Sequence, residues 1–124
     1  DKYWNTQEVV IGGWRAGEGG RSSGIGSLLM GIPAANGLRF VGRVGTGFTD
    51  RDLANLKKTL APLHTDESPF DARLSTQDAK GVTFVEPTLV GEVRYSEWTS
   101  EGRLRQPSWR GLRPDKEPAE VVRE

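Results

Sequence analysis

LRFVGRVGTGFTDRDLANLKKTLAP, residues 38–62, changes period partway along, from strand-like to helical. Residues 38–44 carry Phe40, Val41 and Val44 and read as a strand. Gly45, Thr46 and Gly47 turn the chain. Thr49, Asp50, Arg51 and Asp52 then spell a capping box with Asp where Glu is usual, and Leu53, Leu56 and Leu60 follow at helical spacing until Pro62. The passage is therefore strand, turn, helix.

Working outward, residues 6–14 contain Val9, Val10 and Ile11 bounded by Gly12 and Gly13, and read as a first strand. Residues 25–32 form a second, broken at 33–37, where Asn36 and Gly37 are a hairpin turn signal. Beyond the helix, residues 64–80 are polar and aperiodic and read as a long surface loop. Strand patterns return at 82–85, 89–98 and 103–113, with 99–102 as the turn between the last two, and 117–124 reads as a short helical turn or a frayed end. Three strands, a helix and further strands, with no βαβ alternation, is the element order of an all-β OB-fold. That fold is a five-stranded Greek-key barrel with one helix between strands three and four, whose outer strand face and loops commonly bind nucleic acid.

Composition narrows the function. At 124 residues the chain fits one domain, long enough for a core but too short for a core plus a large enclosed cleft, which argues against a complete multi-substrate enzyme. The absence of Cys excludes disulfide and thiolate chemistry, and the single His64 leaves the common soft-metal sites without ligands; only carboxylate-held hard cations remain possible, and no metal site is assigned. His64 also lacks a partner arranged for catalysis. The sequence has no long apolar run and no basic-then-apolar start, so it reads as soluble and cytosolic with no membrane partner.

Lys and Arg total 17 against 17 Asp and Glu, but the balance is uneven along the chain. Residues 11–47 are basic, 50–92 acidic and 93–116 basic again. Arg outnumbers Lys, which suits planar, bidentate contact with phosphate; the plainer alternative is a set of solvated strand faces. The Gly-rich segment 17–26 lacks the Gly-Lys-Ser/Thr ending of a phosphate loop and leads into a strand. It suits a flexible connector touching a nucleic-acid backbone through its amides, Arg15 and Arg21, with an ordinary hairpin loop as the alternative. Trp4, Trp14, Trp98 and Trp109 read as core and barrel-end packing in preference to base stacking.

The last strand concentrates Arg105, Arg110, Arg113 and Lys116 and ends Arg113-Pro114-Asp115-Lys116. If no bulge intervenes, Arg105 and Arg113 share strand parity and project from one face, where they could grip a polyphosphate. Asp115 could orient either neighbouring cation.

This block resembles the last nucleotidyltransferase motif, Arg-x-Asp-Lys, of the C-terminal OB-fold domain of ATP-dependent DNA ligases, in particular the ligase module of bacterial non-homologous end-joining enzymes. Residues 92–99 and 102–105 match the lead-in, residues 41–48 match the segment before the OB helix, and Lys2 stands where the preceding Lys-x-Lys motif would finish. Residues 1–5 would then be the end of the linker and motif from an upstream nucleotidyltransferase domain, and 1–124 the OB-fold domain.

The resemblance implies a division of labour. Such ligases adenylylate a lysine with ATP, pass AMP to the 5′-phosphate of a nick and seal it. The lysine lies upstream in a Lys-x-Asp-Gly motif, and Asp78-Ala79-Lys80-Gly81 has those letters in the wrong order. By resemblance, Arg113, Asp115 and Lys116 are the candidate catalytic residues, and Lys2, Arg105, Arg113 and Lys116 meet ATP. Arg15, Arg21, Arg43 and Arg94 meet DNA, and Mg²⁺ is held mainly by the upstream domain. Partners are nicked duplex DNA, the adenylylation domain of the same polypeptide and end-binding repair proteins; the chain is expected to be a monomer, cytoplasmic and nucleoid-associated. The alternatives are the OB domain of an RNA-capping or RNA-ligating nucleotidyltransferase, a stand-alone nucleic-acid-binding OB module, and a purely structural domain.

Overall fold

A computed structural model describes residues 4–17 and 24–124. The strands are β1 (Asn5–Ala16), β2 (Ile25–Ala34), β3 (Gly37–Val44), β4 (Val82–Phe84), β5 (Val90–Tyr95), β6 (Glu97–Trp98), β7 (Leu104–Arg105) and β8 (Ser108–Leu112); the helices are α1 (Asp50–Leu60) and α2 (Thr76–Ala79). β3, β2, β1, β5 and β8 lie side by side in that order, all antiparallel, and β4 pairs with the second half of β1. Long β1 is the spine, because its other edge serves β5 with its first half and β4 with its second.

The sheet is open, and the ends of its two edge strands come together at one point. Trp109 N–H of β8 donates to Thr46 O just after β3, 2.9 Å away. Gly47 makes this seam possible: its φ is +93°, and a Cβ there would lie 2.6 Å from Trp109 N and 2.7 Å from Trp109 O. The result is the expected all-β OB-fold, with five principal strands and α1 between the third and fourth.

α1 starts as the sequence predicts. Thr49 Oγ1 accepts from Asp52 N at 2.9 Å, and Asp52 Oδ2 accepts from Thr49 N at 3.0 Å, so each end of the capping box is closed. Leu56 and Leu60 are buried, with Leu53 packed beside them, and a 3-10 turn at Ala61–Leu63 carries Pro62 and ends the helix.

Residues 64–80 are more than a surface loop. They include α2, capped by Ser75, and they send Phe70 into the core, where its ring stands edge-on to Phe40 at 5.4 Å. The ring needs the space over Gly12, where a Cβ would sit 2.5 Å from Phe70 Cζ. Burying a Phe is worth about 1.5–3 kcal/mol, enough to hold a polar segment against the barrel.

The strand expected over 103–113 is broken. Gln106 takes φ +55° and Pro107 follows, so β7 leaves the main sheet to pair with β6, while β8 joins β5. Trp98 likewise sits in β6, apart from β5. The tail neither frays nor drifts: after a 3-10 turn at Pro118–Glu120, Val121 is buried. Buried Gln7 of β1 donates to Val122 O at 2.8 Å and accepts from Glu124 N at 2.9 Å.

Trp14, Trp98 and Trp109 pack in or against the core as expected, Trp109 stacking on Phe48 at 5.6 Å. Trp4 is exposed, with the Arg94 guanidinium 4.7 Å above its ring.

Candidate functional site

β8 delivers Arg113 to a fixed place. Its N–H donates to Val90 O of β5 at 2.8 Å, and Lys116 N–H donates back to Arg113 O at 3.1 Å, closing a tight turn with Pro114 in its second position. Proline presets the backbone angle that such a turn requires there. Arg113, Asp115 and Lys116 are thus held in one short loop at the end of the last strand.

Three carboxylates surround the Arg113 guanidinium. Nε and Nη2 donate to Asp115 Oδ1 and Oδ2 at 3.2 and 3.1 Å, a two-pronged fork. Nη1 donates to Glu92 Oε2 at 3.3 Å and lies 3.2 Å from Glu8 Oε2. The hydrogen bond with Arg113, more than any other contact, holds the Asp115 carboxyl below its ordinary range; the same bond raises the Arg113 guanidinium, helped by the charges of Asp115, Glu8 and Glu92. Glu8 and Glu92 are register partners on β1 and β5, so two like charges stand directly opposite, a destabilising arrangement without a shared cation.

The other expected residues are dispersed. Arg105 does not share a face with Arg113, because the break at Gln106 and Pro107 puts it in the β6–β7 ribbon, where its Nε meets Glu97 at 3.1 Å. Arg15 is half-buried, and its Nη2 donates to Gln77 O and Asp78 O at 2.7 and 3.2 Å, tying β1 to α2. Burial, and then the charge of Arg43, lower the Arg15 pKa. Arg43 and Arg103 line a cleft of about 450 Å³ with Ser27, Gly45 and Asp78. Arg94, on β5, covers Trp4. Lys2 and Arg21 lie outside the described residues, as does most of the Gly-rich segment. His64 and Asp66, 3.8 Å apart, are both exposed.

Glu8 and Glu92 escaped the sequence reading. Each is one acidic residue in a strand of otherwise mixed pattern, and only the β1–β5 register makes them a pair. An acidic position in mid-strand on two strands, beside an Arg-rich third, was the available signal.

The family described as "ATP dependent DNA ligase C terminal region" matches residues 21–116. The chain belongs to this family. As a ligase C-terminal region it is 78% identical, over all 124 residues, to the multifunctional non-homologous end joining DNA repair protein LigD of Mycobacterium tuberculosis, of which it covers 16%. It is 35% identical to a DNA ligase of Hyperthermus butylicus, with 95% of this chain and 22% of that protein aligned. The crystal structure of the ligase domain from M. tuberculosis LigD superposes with a TM-score of 0.96 at 77% identity, covering 100% of this chain and 40% of that one. The mycobacterial DNA ligase D complexed with ATP and MES gives 0.89 at 72% identity, covering 100% and 39%. This ligase C-terminal region thus spans under half of the solved ligase domains it resembles.

Proposed function

We propose that the chain is the OB-fold part of an ATP-dependent DNA ligase acting in end-joining repair of double-strand breaks. It binds nicked duplex DNA and presents the Arg113–Lys116 turn to the ATP site of an adenylylation domain in the same polypeptide. There, as a lysine of that domain bonds to the α-phosphorus, the bond to the β-phosphate oxygen breaks and pyrophosphate leaves with added negative charge. Arg113 and Lys116 neutralise and align that leaving group, which is most of what catalysis of phosphoryl-type transfer demands. The supporting observation is the turn: a guanidinium fork and a lysine brought into one hydrogen-bonded turn at the end of β8.

The donors on this chain suit phosphate better than metal. The carboxylates at the turn converge on Arg113, and among the described residues no group of three or more His, Cys, Asp or Glu side chains is arranged to hold a cation. Mg²⁺, held mainly by the adenylylation domain, would share the neutralisation of the triphosphate. Lys2 would meet ATP from the entry to the domain, whereas Arg105, paired with Glu97 in another ribbon, acts only after giving up that partner.

On the DNA side, Arg43 and Arg94 are the cations assigned to the duplex, with Arg21 in the connector. Arg15, bonded to α2, adds to the local field beside Arg43. End-binding repair proteins are the further partners assigned to this ligase, which would act as a monomer in the cytoplasm at the nucleoid.

Mixing the chain with the isolated adenylylation domain tests this reading. Transfer of labelled AMP to lysine should rise as the chain is added; no gain at high concentration would overturn it.

A further inference from the structure

We propose that Glu8 and Glu92 are positioning residues for Arg113: they anchor its Nη1 edge, while Asp115 is the exchangeable partner whose place on the Nε/Nη2 edge a phosphate takes. The inference rests on the reading that Arg113 meets the ATP phosphates and goes beyond it, because it assigns roles to two residues outside the Arg-x-Asp-Lys turn.

The two edges of the Arg113 guanidinium differ. A phosphate is gripped best in a fork of two parallel N–H bonds, and Nε with Nη2 is such a fork. In this structure the fork holds Asp115, whose side chain is 62% exposed. An exposed carboxylate released from an ion pair is solvated at once, so the exchange costs little. Nη1 is different. Its partners Glu8 and Glu92 are only 19% and 27% exposed and face each other across β1 and β5. Pulling Arg113 away would leave two like charges opposed and poorly hydrated. Nη1 therefore stays while the fork changes partners.

The anchor also fixes direction. Arg113 follows β8 with its backbone bonded to Val90, and its side chain has several rotatable bonds that would otherwise let the fork wander. Two anchoring oxygens from two strands hold the guanidinium so that the fork edge faces away from β1 and β5, towards the turn that carries Asp115 and Lys116. At metal sites, partners that orient a ligating side chain typically matter by about 10- to 100-fold in activity, and the same scale is expected for a guanidinium aimed at phosphate.

The test uses the full-length ligase and single-turnover lysine adenylylation with ATP varied. Glu8→Gln and Glu92→Gln keep the shape of each side chain and remove one of two like charges, so neither should unfold the barrel. Each is expected to lower the maximal single-turnover rate about tenfold with the half-saturating ATP concentration little changed, the pattern of a lost alignment. In an Arg113→Lys background, where no planar fork remains to be aimed, Glu92→Gln should add no further loss. Wild-type rates in both Gln variants, or an equal further loss in the Arg113→Lys background, would overturn the proposal. If Arg113→Lys alone adenylylates at the wild-type rate, the underlying reading of Arg113 fails instead, and the proposal with it.

Discussion

Glu8 and Glu92 stand opposite each other on neighbouring strands, and their Oε2 atoms approach the same nitrogen, Nη1 of Arg113, at 3.2 and 3.3 Å. One cation thus links β1 and β5 to the loop that follows β8. The arrangement makes the sign of a mutation depend on its background.

In the wild-type chain, Glu92→Gln removes a partner of Arg113 and should lower the melting temperature. With Arg113→Ala already present, the two carboxylates are left facing each other, and the same Glu92→Gln should raise it. Thermal unfolding of the four proteins checks this; a Gln effect of the same sign in both backgrounds would show that the three residues are not coupled.

The Asp115 carboxyl is held below its ordinary value of 3.8, chiefly by its hydrogen bond with Arg113. A carboxyl whose pKa is lower folded than unfolded stabilises the fold above the ordinary value, and that contribution is lost as pH falls through the folded value. The urea midpoint of the wild type relative to Asp115→Asn should therefore be constant through neutral pH and shrink on acidification below about pH 4. A gap that stays constant into acid would mean that the carboxylate contributes nothing to the fold.

Gly47 and Gly102 both have positive φ, +93° and +81°, yet only Gly47 lies against other backbone atoms. Gly102→Ala should cost only left-handed backbone strain, about 1–2 kcal/mol. Gly47→Ala should cost about 1–3 kcal/mol more for overpacking against Trp109, and should shift the fluorescence of that ring as the Thr46–Trp109 seam opens. Denaturant unfolding of both variants compares them directly; equal losses would remove the seam from the account.

The strand-turn-helix passage at 38–62 was legible because each signal in it is local: a capping box, a leucine spacing and a proline stop all act within a few residues. The break at Gln106 was not, because a positive φ at a non-glycine residue has no sequence signature, and missing it wrongly joined Arg105 to Arg113. Phe70 in a polar stretch looked like a loop residue, since only the empty space over Gly12, set by the packing of distant strands, shows where its ring goes. The candidate site divides in the same way. Arg113, Asp115 and Lys116 lie in one short run and could be read from it; Glu8 and Glu92 reach Arg113 through strand register, which the sequence does not display.

On the proposed function, the Arg113–Lys116 turn would serve transfer of AMP from ATP to lysine more than the sealing step. The direct measurement compares, in the full-length ligase, the rate of lysine adenylylation with the rate of sealing a pre-adenylylated nick, for wild type, Arg113→Lys and Lys116→Ala. Loss of one positioned donor to a developing charge typically costs on the order of 100-fold, so adenylylation should fall by about that factor while sealing falls far less. Equal losses in the two steps, or adenylylation at the wild-type rate, would mean that the turn does not act on the leaving pyrophosphate.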